Sequence, residues 1–267
     1  MAQETPQIPD DSLFLSFRTQ CESNEGWVCT YSKSGTGVWL KPPTDKASLI
    51  HTVKGCMTFP DVSADTVYDV LHDTAYRRKW DLSMIETRDI AQLSANADVG
   101  YYSWKCPKPL KNRDVVTLRS WLLLDEFYMI INFSVKHKLY PPRKDMIRAV
   151  SHLAGYLIKI TGPNSCILTY LAQVDPRGSL PKWVVNKSSQ YLAPKILRKL
   201  YKACVQYPVW KKKNQPGFKP WLNPEQNTLP RLALNELSLQ RAESLEHVDE
   251  SRLCEVKEEK CNSDDDG

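Results

Sequence analysis

The sequence lacks the short motifs that mark common hydrolases, nucleotide-binding proteins and metalloproteins. Its 267 residues contain no G-x-S-x-G, no P-loop, no G-x-G-x-x-G and no H-E-x-x-H. The five histidines never stand at metal-ligand spacing, and no C-x-x-C pair occurs. We therefore expect no metal, no cofactor and no enzymatic activity, although a catalytic triad of distant residues would leave no trace in sequence order.

Long apolar runs are also absent. No stretch approaches the ~18 apolar residues that a membrane-spanning helix needs. The first eleven residues are polar and lack the apolar core of a secretory signal. The eight scattered cysteines are therefore expected to be reduced thiols in a cytoplasmic protein.

Acidic residues are missing from one long segment. Between Pro176 and Pro224 the chain has eleven Lys and Arg residues and no Asp or Glu, whereas residues 225–267 carry twelve acids and five bases. The formal charge of +5 thus divides into −7 on the tail and +12 on the first 224 residues. This division predicts an anionic partner surface, and a tail that could compete with it.

Hydrophobic periodicity predicts helices at both ends of the chain and strands between them. Residues 12–21 indicate a helix, a hairpin and a third strand follow up to Phe59, and Ser63 can cap a second helix. The predicted class is α+β with one strongly curved antiparallel sheet. Its main strands are predicted at Ile85–Leu93, Val99–Cys106, Val115–Leu124, Tyr128–Lys136, Met146–Ile160 and Cys166–Val174.

The last part of the chain reads as a long amphipathic helix followed by a polar tail. The helix is predicted over Leu180–Tyr207, with a kink at Pro194 and its end beginning at Pro208. We predict an N-terminal extension at 1–11, one domain at 12–224, and an acidic, mostly disordered tail at 225–267.

Two sequence clusters could form a binding site. A helical turn over Tyr76–Asp81 would place Arg77 and Asp81 four residues apart, where they can pair, and a guanidinium fork suits a phosphate. On the strand 100–104, Tyr102 and Trp104 share one face, where aromatic rings could hold a quaternary ammonium group. A solvated basic turn and an ordinary aromatic core are the alternative interpretations.

Three separated segments, in this order, resemble one known family. They are D-V-L-H-D-T-A-Y-R-R-K-W-D (69–81), Y-Y-S-W-K-C-P-K-P-L-K-N-R-D-V-V (101–116) and V-D-P-R-G-S-L-P-K-W-V-V-N (174–186). Together they resemble the START lipid-transfer domain, in particular its phosphatidylcholine-transfer subgroup, over residues 12–213. The resemblance implies a helix-grip fold, in which a curved sheet wraps a long C-terminal helix around one internal lipid tunnel. It also implies transfer of phosphatidylcholine and, for this chain, of phosphatidylethanolamine.

The resemblance carries over to single residues unevenly. Arg77 matches the family's phosphate-binding arginine, Asp81 matches its carboxylate partner, and Tyr102, beside Trp104, falls at an aromatic cage position. Other headgroup positions, where the family has aromatic or polar side chains, are here occupied by Val115, His152 and Ala154. The cage is thus incomplete, which favours a site that also accepts the smaller ethanolamine headgroup.

A carrier of this kind needs a moving lid and a surface that meets membranes. The lid candidates are the helix Trp183–Tyr207 and the loop Val174–Pro181, in which Gly178 and two prolines mark turns. We expect a peripheral protein that docks on an anionic membrane through basic and aromatic side chains near the C-terminal helix. These are Lys195, Arg198, Lys199, Lys202, Trp210, Lys211, Lys212, Lys213 and Trp221. We also expect the protein to be a monomer.

The sequence also offers a site for a protein kinase and two alternative functions. Ser263 precedes three aspartates, which is the pattern that an acidophilic kinase of the casein kinase 2 type reads, and a phosphate there would weaken membrane association. The basic, aromatic-rich body could instead face nucleic acid, but the apolar stripe of the same helix implies burial, so we expect none. An enzyme on a similar helix-grip scaffold is the other alternative.

Overall fold

The computed structural model of the chain describes residues 4–43, 50–181, 184 and 193–254. The α-helices with both ends among these residues are α1 (Asp11–Glu22), α2 (Ala64–His72), α3 (Thr74–Trp80) and α4 (Ala193–Lys213), and short 3₁₀ helices lie at Pro224–Gln226, Leu234–Glu236 and Ala242–Ser244. The long strands are β1 (Val28–Lys33), β2 (Thr36–Lys41), β3 (Thr52–Phe59), β4 (Met84–Ser94), β5 (Ala97–Trp104), β6 (Arg113–Leu123), β7 (Phe127–Lys136), β9 (Val150–Gly162) and β10 (Ser165–Asp175). The short strands are β8 (Ile147–Arg148), β11 (Gly178–Ser179), β12 (Ser238–Leu239) and β13 (Val248–Asp249).

The long strands form one antiparallel sheet in the order β1-β2-β3-β10-β9-β7-β6-β5-β4. β8 pairs with β6, β12 pairs with β7, and β11 pairs with β13 in a separate two-stranded sheet. The predicted α+β class, with one large curved sheet and a C-terminal helix against it, is confirmed.

Helices cover both faces of the sheet. On the inner face α4 packs with α2 and α3 over Phe59, Ile130 and Leu168, and this cluster buries Leu197, Leu200, Cys204 and Tyr207 of α4. On the outer face α1, which is capped by Asp10, buries Phe14 and Phe17 against Met129, Ile131 and Leu157. The sheet is therefore apolar on both faces, and the long C-terminal helix is held within its curve.

Two boundaries differ from the sequence prediction. The predicted strand Met146–Ile160 is split after Arg148, because Arg148 forms a buried bidentate ion pair with Asp114 and β8 pairs with β6. The helix that was predicted to end from Pro208 continues through that proline to Lys213. Tyr207 precedes Pro208 and Lys211 follows it, and both side chains donate to the carboxylate of Asp73. These contacts hold the last turns of α4 in place. Of the predicted helical residues 180–192, most lie outside the described residues.

The prediction of a mostly disordered tail from residue 225 is wrong for residues 225–254. This segment crosses the outer face of the sheet, where Leu237 is buried among Val99, Leu118 and Val135. Its strand β12 adds to β7, and Leu232 N–H donates to the Gln92 carbonyl at the β4 edge. The tail covers apolar sheet surface that α1 leaves open, so it is part of the domain. Residues 255–267 lie outside the described residues.

Burial of His72 predicts a loss of stability in acid. Its Nδ1 donates to the Tyr68 carbonyl at 3.0 Å, and its ring stacks on that of Trp221. Burial lowers the pKa of His72 well below 6.5, and the positive charge of Arg119 lowers it further. Below about pH 6.5 the unfolded chain binds a proton here that the folded chain does not bind. We therefore expect the free energy of unfolding to fall, by up to about 1.4 kcal/mol per pH unit.

Urea denaturation at pH 5.5 and pH 7.5 measures this effect. The variant His72→Gln should lose part of the pH dependence, whereas His152→Gln, at an exposed position, should keep it. Identical pH dependence in the wild type and His72→Gln would contradict the burial of a neutral imidazole.

Candidate functional site

The short helix α3 is fixed so that Arg77 points between the helices and the sheet. Asp73 caps α3 by accepting the Tyr76 N–H at 3.0 Å. Tyr76 then anchors the helix to α4, because its hydroxyl donates to the Ala203 carbonyl at 2.8 Å and its ring contacts Trp210 at 4.7 Å. The next residue, Arg77, is thereby directed toward β5.

Arg77 lies in a cluster of one carboxylate and two aromatic rings. Its Nε donates to Asp81 Oδ2 at 3.2 Å, which is the i, i+4 pair that the sequence predicted. The guanidinium carbon lies 5.1 Å from the centre of the Tyr102 ring and 5.5 Å from that of Trp80. Tyr102 also donates its hydroxyl to Asp81 Oδ2 at 2.8 Å. Within the described part of the chain, the side-chain hydrogen bond of this guanidinium uses Nε, and the pairing with Asp81 does not involve the two terminal nitrogens.

The charges of this cluster are stable over the physiological pH range. Burial alone would raise the pKa of Asp81, but Arg77 and the hydrogen bonds from Ser83 and Tyr102 hold it below its ordinary value. Burial would lower the pKa of Arg77, yet the facing groups Tyr156, Tyr102 and Asp81 raise it above its ordinary value. The cluster therefore holds a permanent guanidinium beside an ionised carboxylate.

Several polar side chains lie deep in the molecule and still have accessible surface. Arg77 keeps 23% of its side-chain surface accessible, and Arg119, which pairs with Asp98, keeps 21%. Tyr170 on β10 lies at the same depth, is only half-buried, and packs its ring 5.0 Å from that of Tyr156. These three side chains are thus only partly covered by the residues that surround them.

The other predicted headgroup positions lie on the strands β5, β6 and β9. Trp104 stacks beside Tyr102 with ring centres 5.9 Å apart, and Val115 is the β6 partner of Tyr102. Ala154 is buried on β9 opposite Ala172. His152 is exposed at an irregularity of the β9–β10 pairing, between the pairs Leu153–Gln173 and Ser151–Val174. Roles for these residues in headgroup binding stay predictions.

The predicted docking residues divide into exposed and buried groups. Exposed side chains on α4 are Lys195, Arg198, Lys202, Lys212 and Lys213, and Lys199 and Trp210 are half-buried. Arg198 also contacts Tyr31, whose hydroxyl accepts its Nη1 at 3.1 Å.

Lys211 and Trp221 do not lie on the exposed face where the sequence placed them. The Lys211 ammonium is buried and donates to Asp73 at 2.8 Å. The Trp221 indole is buried and donates to Asp69 at 2.7 Å. Because both side chains satisfy buried carboxylates of the α2–α3 region, neither is available to a membrane. Ser263 lies outside the described residues.

Four residues that interact with Arg77 were not identified from the sequence as site residues: Trp80, Arg119, Tyr156 and Tyr170. Tyr156 and Tyr170 are cross-strand partners, and both occupy the inward positions of strands that are otherwise apolar on that face. A tyrosine in an apolar, inward-facing register is a usable signal of this kind, because a buried hydroxyl needs a partner or a ligand. Among the described residues, no cluster of His, Cys, Asp and Glu could hold a metal ion, and no helix is long and apolar enough to span a membrane.

Comparisons with known proteins agree with this geometry. A profile described as START domain matches residues 10–211. The chain is 60% identical over 272 residues to mouse START domain-containing protein 10, an alignment that covers all of this chain and 93% of the mouse protein. It is 25% identical to bovine phosphatidylcholine transfer protein over 69% of this chain and 87% of that protein. The crystal structure of human STARD10 superposes with a TM-score of 0.85 at 62% identity, covering 90% of this chain and 98% of that one.

Proposed function

Because the chain belongs to the START domain family, we propose that it is a lipid-transfer protein that carries one phosphatidylcholine or phosphatidylethanolamine molecule between membranes. The chain is similar to proteins named for START domains and for phosphatidylcholine transfer. Carrying a lipid requires binding, enclosure and release, and no covalent step. The proposal therefore assigns no catalytic residues.

The observation that carries the proposal is the partly buried Arg77 guanidinium, which lies beside the rings of Tyr102 and Trp80 and pairs with Asp81 through Nε. A cation in this position is costly unless an anion accompanies it, and Asp81 occupies only its Nε side. A lipid phosphate would accept two parallel hydrogen bonds from the remaining nitrogens. Asp81 holds the guanidinium in orientation, and Tyr102 holds Asp81 in turn.

The groups around Arg77 suit a small cationic headgroup. Tyr102 and Trp104 present aromatic faces, which attract a quaternary or primary ammonium group. Val115, the neighbour of Tyr102 on β6, adds no further ring. With fewer rings, the site gives less advantage to choline over ethanolamine, which donates hydrogen bonds of its own. This supports the acceptance of both headgroups.

Energetics require a closed site. A phospholipid has on the order of thirty acyl methylenes, and at ~0.8 kcal/mol each their exposure to water would cost ~20 kcal/mol or more. Accessible surface on the deep groups Arg77, Arg119 and Tyr170 supports a tunnel between the sheet and α4. A lid must open for exchange, and we assign this role to the loop Val174–Pro181.

Membrane contact is proposed for one face of α4, here called the docking face. It is formed by the half-buried Lys199 together with exposed apolar and basic side chains: Lys195, Ile196, Arg198, Lys202, Val205, Val209, Lys212 and Lys213. Each cation near an anionic membrane contributes about 1 kcal/mol, and this attraction decays within a Debye length. Phosphorylation of Ser263 would add negative charge to the acidic tail and oppose this contact.

Charge reversal on the docking face should slow transfer without emptying the protein. In the variant Lys202→Glu/Lys212→Glu, we expect transfer between anionic vesicles to fall at least about tenfold, and the difference to shrink in high salt. The matched control is Lys138→Glu/Lys144→Glu, which reverses two exposed cations outside α4. Equal transfer rates in the two variants would contradict a docking role for α4.

The proposed function is tested by transfer of labelled phosphatidylcholine and phosphatidylethanolamine from donor to acceptor vesicles. Both lipids should move at rates proportional to protein concentration. The nucleic-acid alternative is weakened by the pairing of Lys211 with Asp73 and of Lys219 with Asp69, which removes two cations from the basic segment. A salt-sensitive gel shift with no lipid transfer would favour that alternative and overturn the proposal.

A further inference from the structure

Part of the acidic tail lies directly on the loop that we assign to the lid. Gly178 and Ser179 of the loop pair in parallel with Val248 and Asp249 of the tail. The Val248 N–H donates to the Arg177 carbonyl at 3.3 Å. The Arg177 guanidinium in turn donates to the Leu245 carbonyl at 2.8 Å. Residues 245–250 thus run as a strap along the loop.

A buried ion pair fixes the end of this strap. The carboxylate of Glu250 pairs with the guanidinium of Arg113, and both residues are almost fully buried. Glu250 also accepts the Lys111 N–H at 2.9 Å, and Arg113 Nε donates to the Pro176 carbonyl at 3.4 Å. One guanidinium therefore joins the sheet, the loop and the tail. Without Glu250 it would be a buried cation with no carboxylate partner among the described residues, which is strongly unfavourable.

The loop is shaped to accept a backbone at close range. A Cβ atom added to Gly178 would lie 2.2 Å from the Val248 carbonyl oxygen, which no side chain can tolerate. Glycine at this position therefore allows the tail strand to reach the loop. The surface formed by Arg113, the Lys111 N–H and the loop fits an extended segment that ends in a carboxylate.

The strap is attached next to the candidate binding site. Arg113 is the cross-strand partner of Trp104, and Val115 follows it by two residues on the same strand. Within the strap, Leu245 and Val248 are only half-buried, so its attachment depends largely on polar contacts. A segment held in this way opens at a lower free energy than the core does.

We propose that residues 245–250 form an intramolecular latch, which holds loop 175–179 closed and must detach before lipid can exchange. This inference rests on the proposed function, because it assigns the loop to the lid of the lipid site. The latch slows release of lipid into water and into membranes, and its detachment frees the loop to move. In this structure the loop and Arg113 bind the protein's own acidic segment.

Two variants of the full-length protein are expected to detach the latch in different ways. Glu250→Gln removes the charge that pairs with Arg113, and Gly178→Ala expels the tail strand from the loop without changing any charge. The matched controls are Glu246→Gln, at an exposed tail position, and Gly217→Ala, where an added Cβ meets nothing within 4 Å. The measurements are hydrogen exchange of the amides of residues 174–181 and transfer of labelled phosphatidylcholine between neutral vesicles.

Both latch variants should exchange the loop amides about tenfold faster or more, and should transfer lipid about three- to tenfold faster, while both controls match the wild type. Circular dichroism spectra like that of the wild type would show that the fold is kept. Faster loop exchange with unchanged lipid transfer overturns the latch and leaves the proposed function intact. Unchanged loop exchange in Gly178→Ala overturns it as well. A wild-type protein that moves no lipid refutes the proposed function itself.

Discussion

Replacing Arg77 by alanine is expected to remove bound phospholipid and to lower phosphatidylcholine transfer between vesicles by about tenfold to a hundredfold. The physical reason is the loss of hydrogen bonds between a guanidinium and a phosphate, which contribute about 1.5–3 kcal/mol because a charged group takes part. The alanine variant also leaves Asp81 as a partly buried carboxylate that repels the phosphate. The measurement is vesicle-to-vesicle transfer of labelled lipid, together with the lipid content of the purified protein.

Two further substitutions separate headgroup binding from general damage. Arg77→Lys keeps the positive charge but loses the planar fork, so its transfer rate should lie between those of the wild type and Arg77→Ala. Arg78→Ala is the matched control, because Arg78 is exposed on the same short helix, and its rate should stay within about twofold of the wild type. Equal lipid content in Arg77→Ala and Arg78→Ala would contradict the phosphate assignment.

Loss of the Asp73 carboxylate is expected to destabilise the fold by about 3–5 kcal/mol. Its Oδ2 accepts from the Lys211 ammonium at 2.8 Å and from the Tyr207 hydroxyl at 3.0 Å, and its Oδ1 caps α3. In Asp73→Ala the Lys211 ammonium would be a buried cation without a counter-charge, and α3 would lose its cap. The midpoint of urea denaturation measures the change.

Matched lysine variants test the same network from the other side. Lys211→Met should be clearly destabilising, because it leaves Asp73 without its cation, while Lys212→Met changes an exposed neighbour and should stay within about 0.5 kcal/mol of the wild type. The double variant Asp73→Asn/Lys211→Met should be more stable than Asp73→Ala, since it leaves no buried charge unpaired. Equal stability of Lys211→Met and Lys212→Met would contradict the buried ion pair.

Much of the fold could be predicted from the sequence, because local patterns determined it. Alternating hydrophobicity placed the strands β4, β5, β6, β7 and β10 within a few residues, and the i, i+4 spacing alone predicted the pair of Arg77 and Asp81. Tyr102 and Trp104 share a face, as strand periodicity requires, and their rings do stack. Each of these inferences needs information from only a few neighbouring residues.

Other features depend on residues that are far apart in the chain. Glu250 and Arg113 are separated by 137 residues, and nothing near either one indicates its partner. Composition made residues 225–254 resemble a disordered tail, although their leucines cover apolar sheet surface. Lys211 stands in a run of three lysines, which is typical of a solvated surface, but its ammonium is buried and donates to Asp73, the N-cap of α3. In each case a tertiary contact decided the outcome against the local pattern.

Native mass spectrometry of the purified full-length protein tests the central claim most directly. We expect the wild type to carry one phospholipid per chain, identified by fragmentation as phosphatidylcholine or phosphatidylethanolamine, and the Arg77→Ala protein to carry much less. A wild-type protein that stays free of phospholipid after incubation with vesicles of both lipids would contradict the claim that Arg77 receives a lipid phosphate inside the fold.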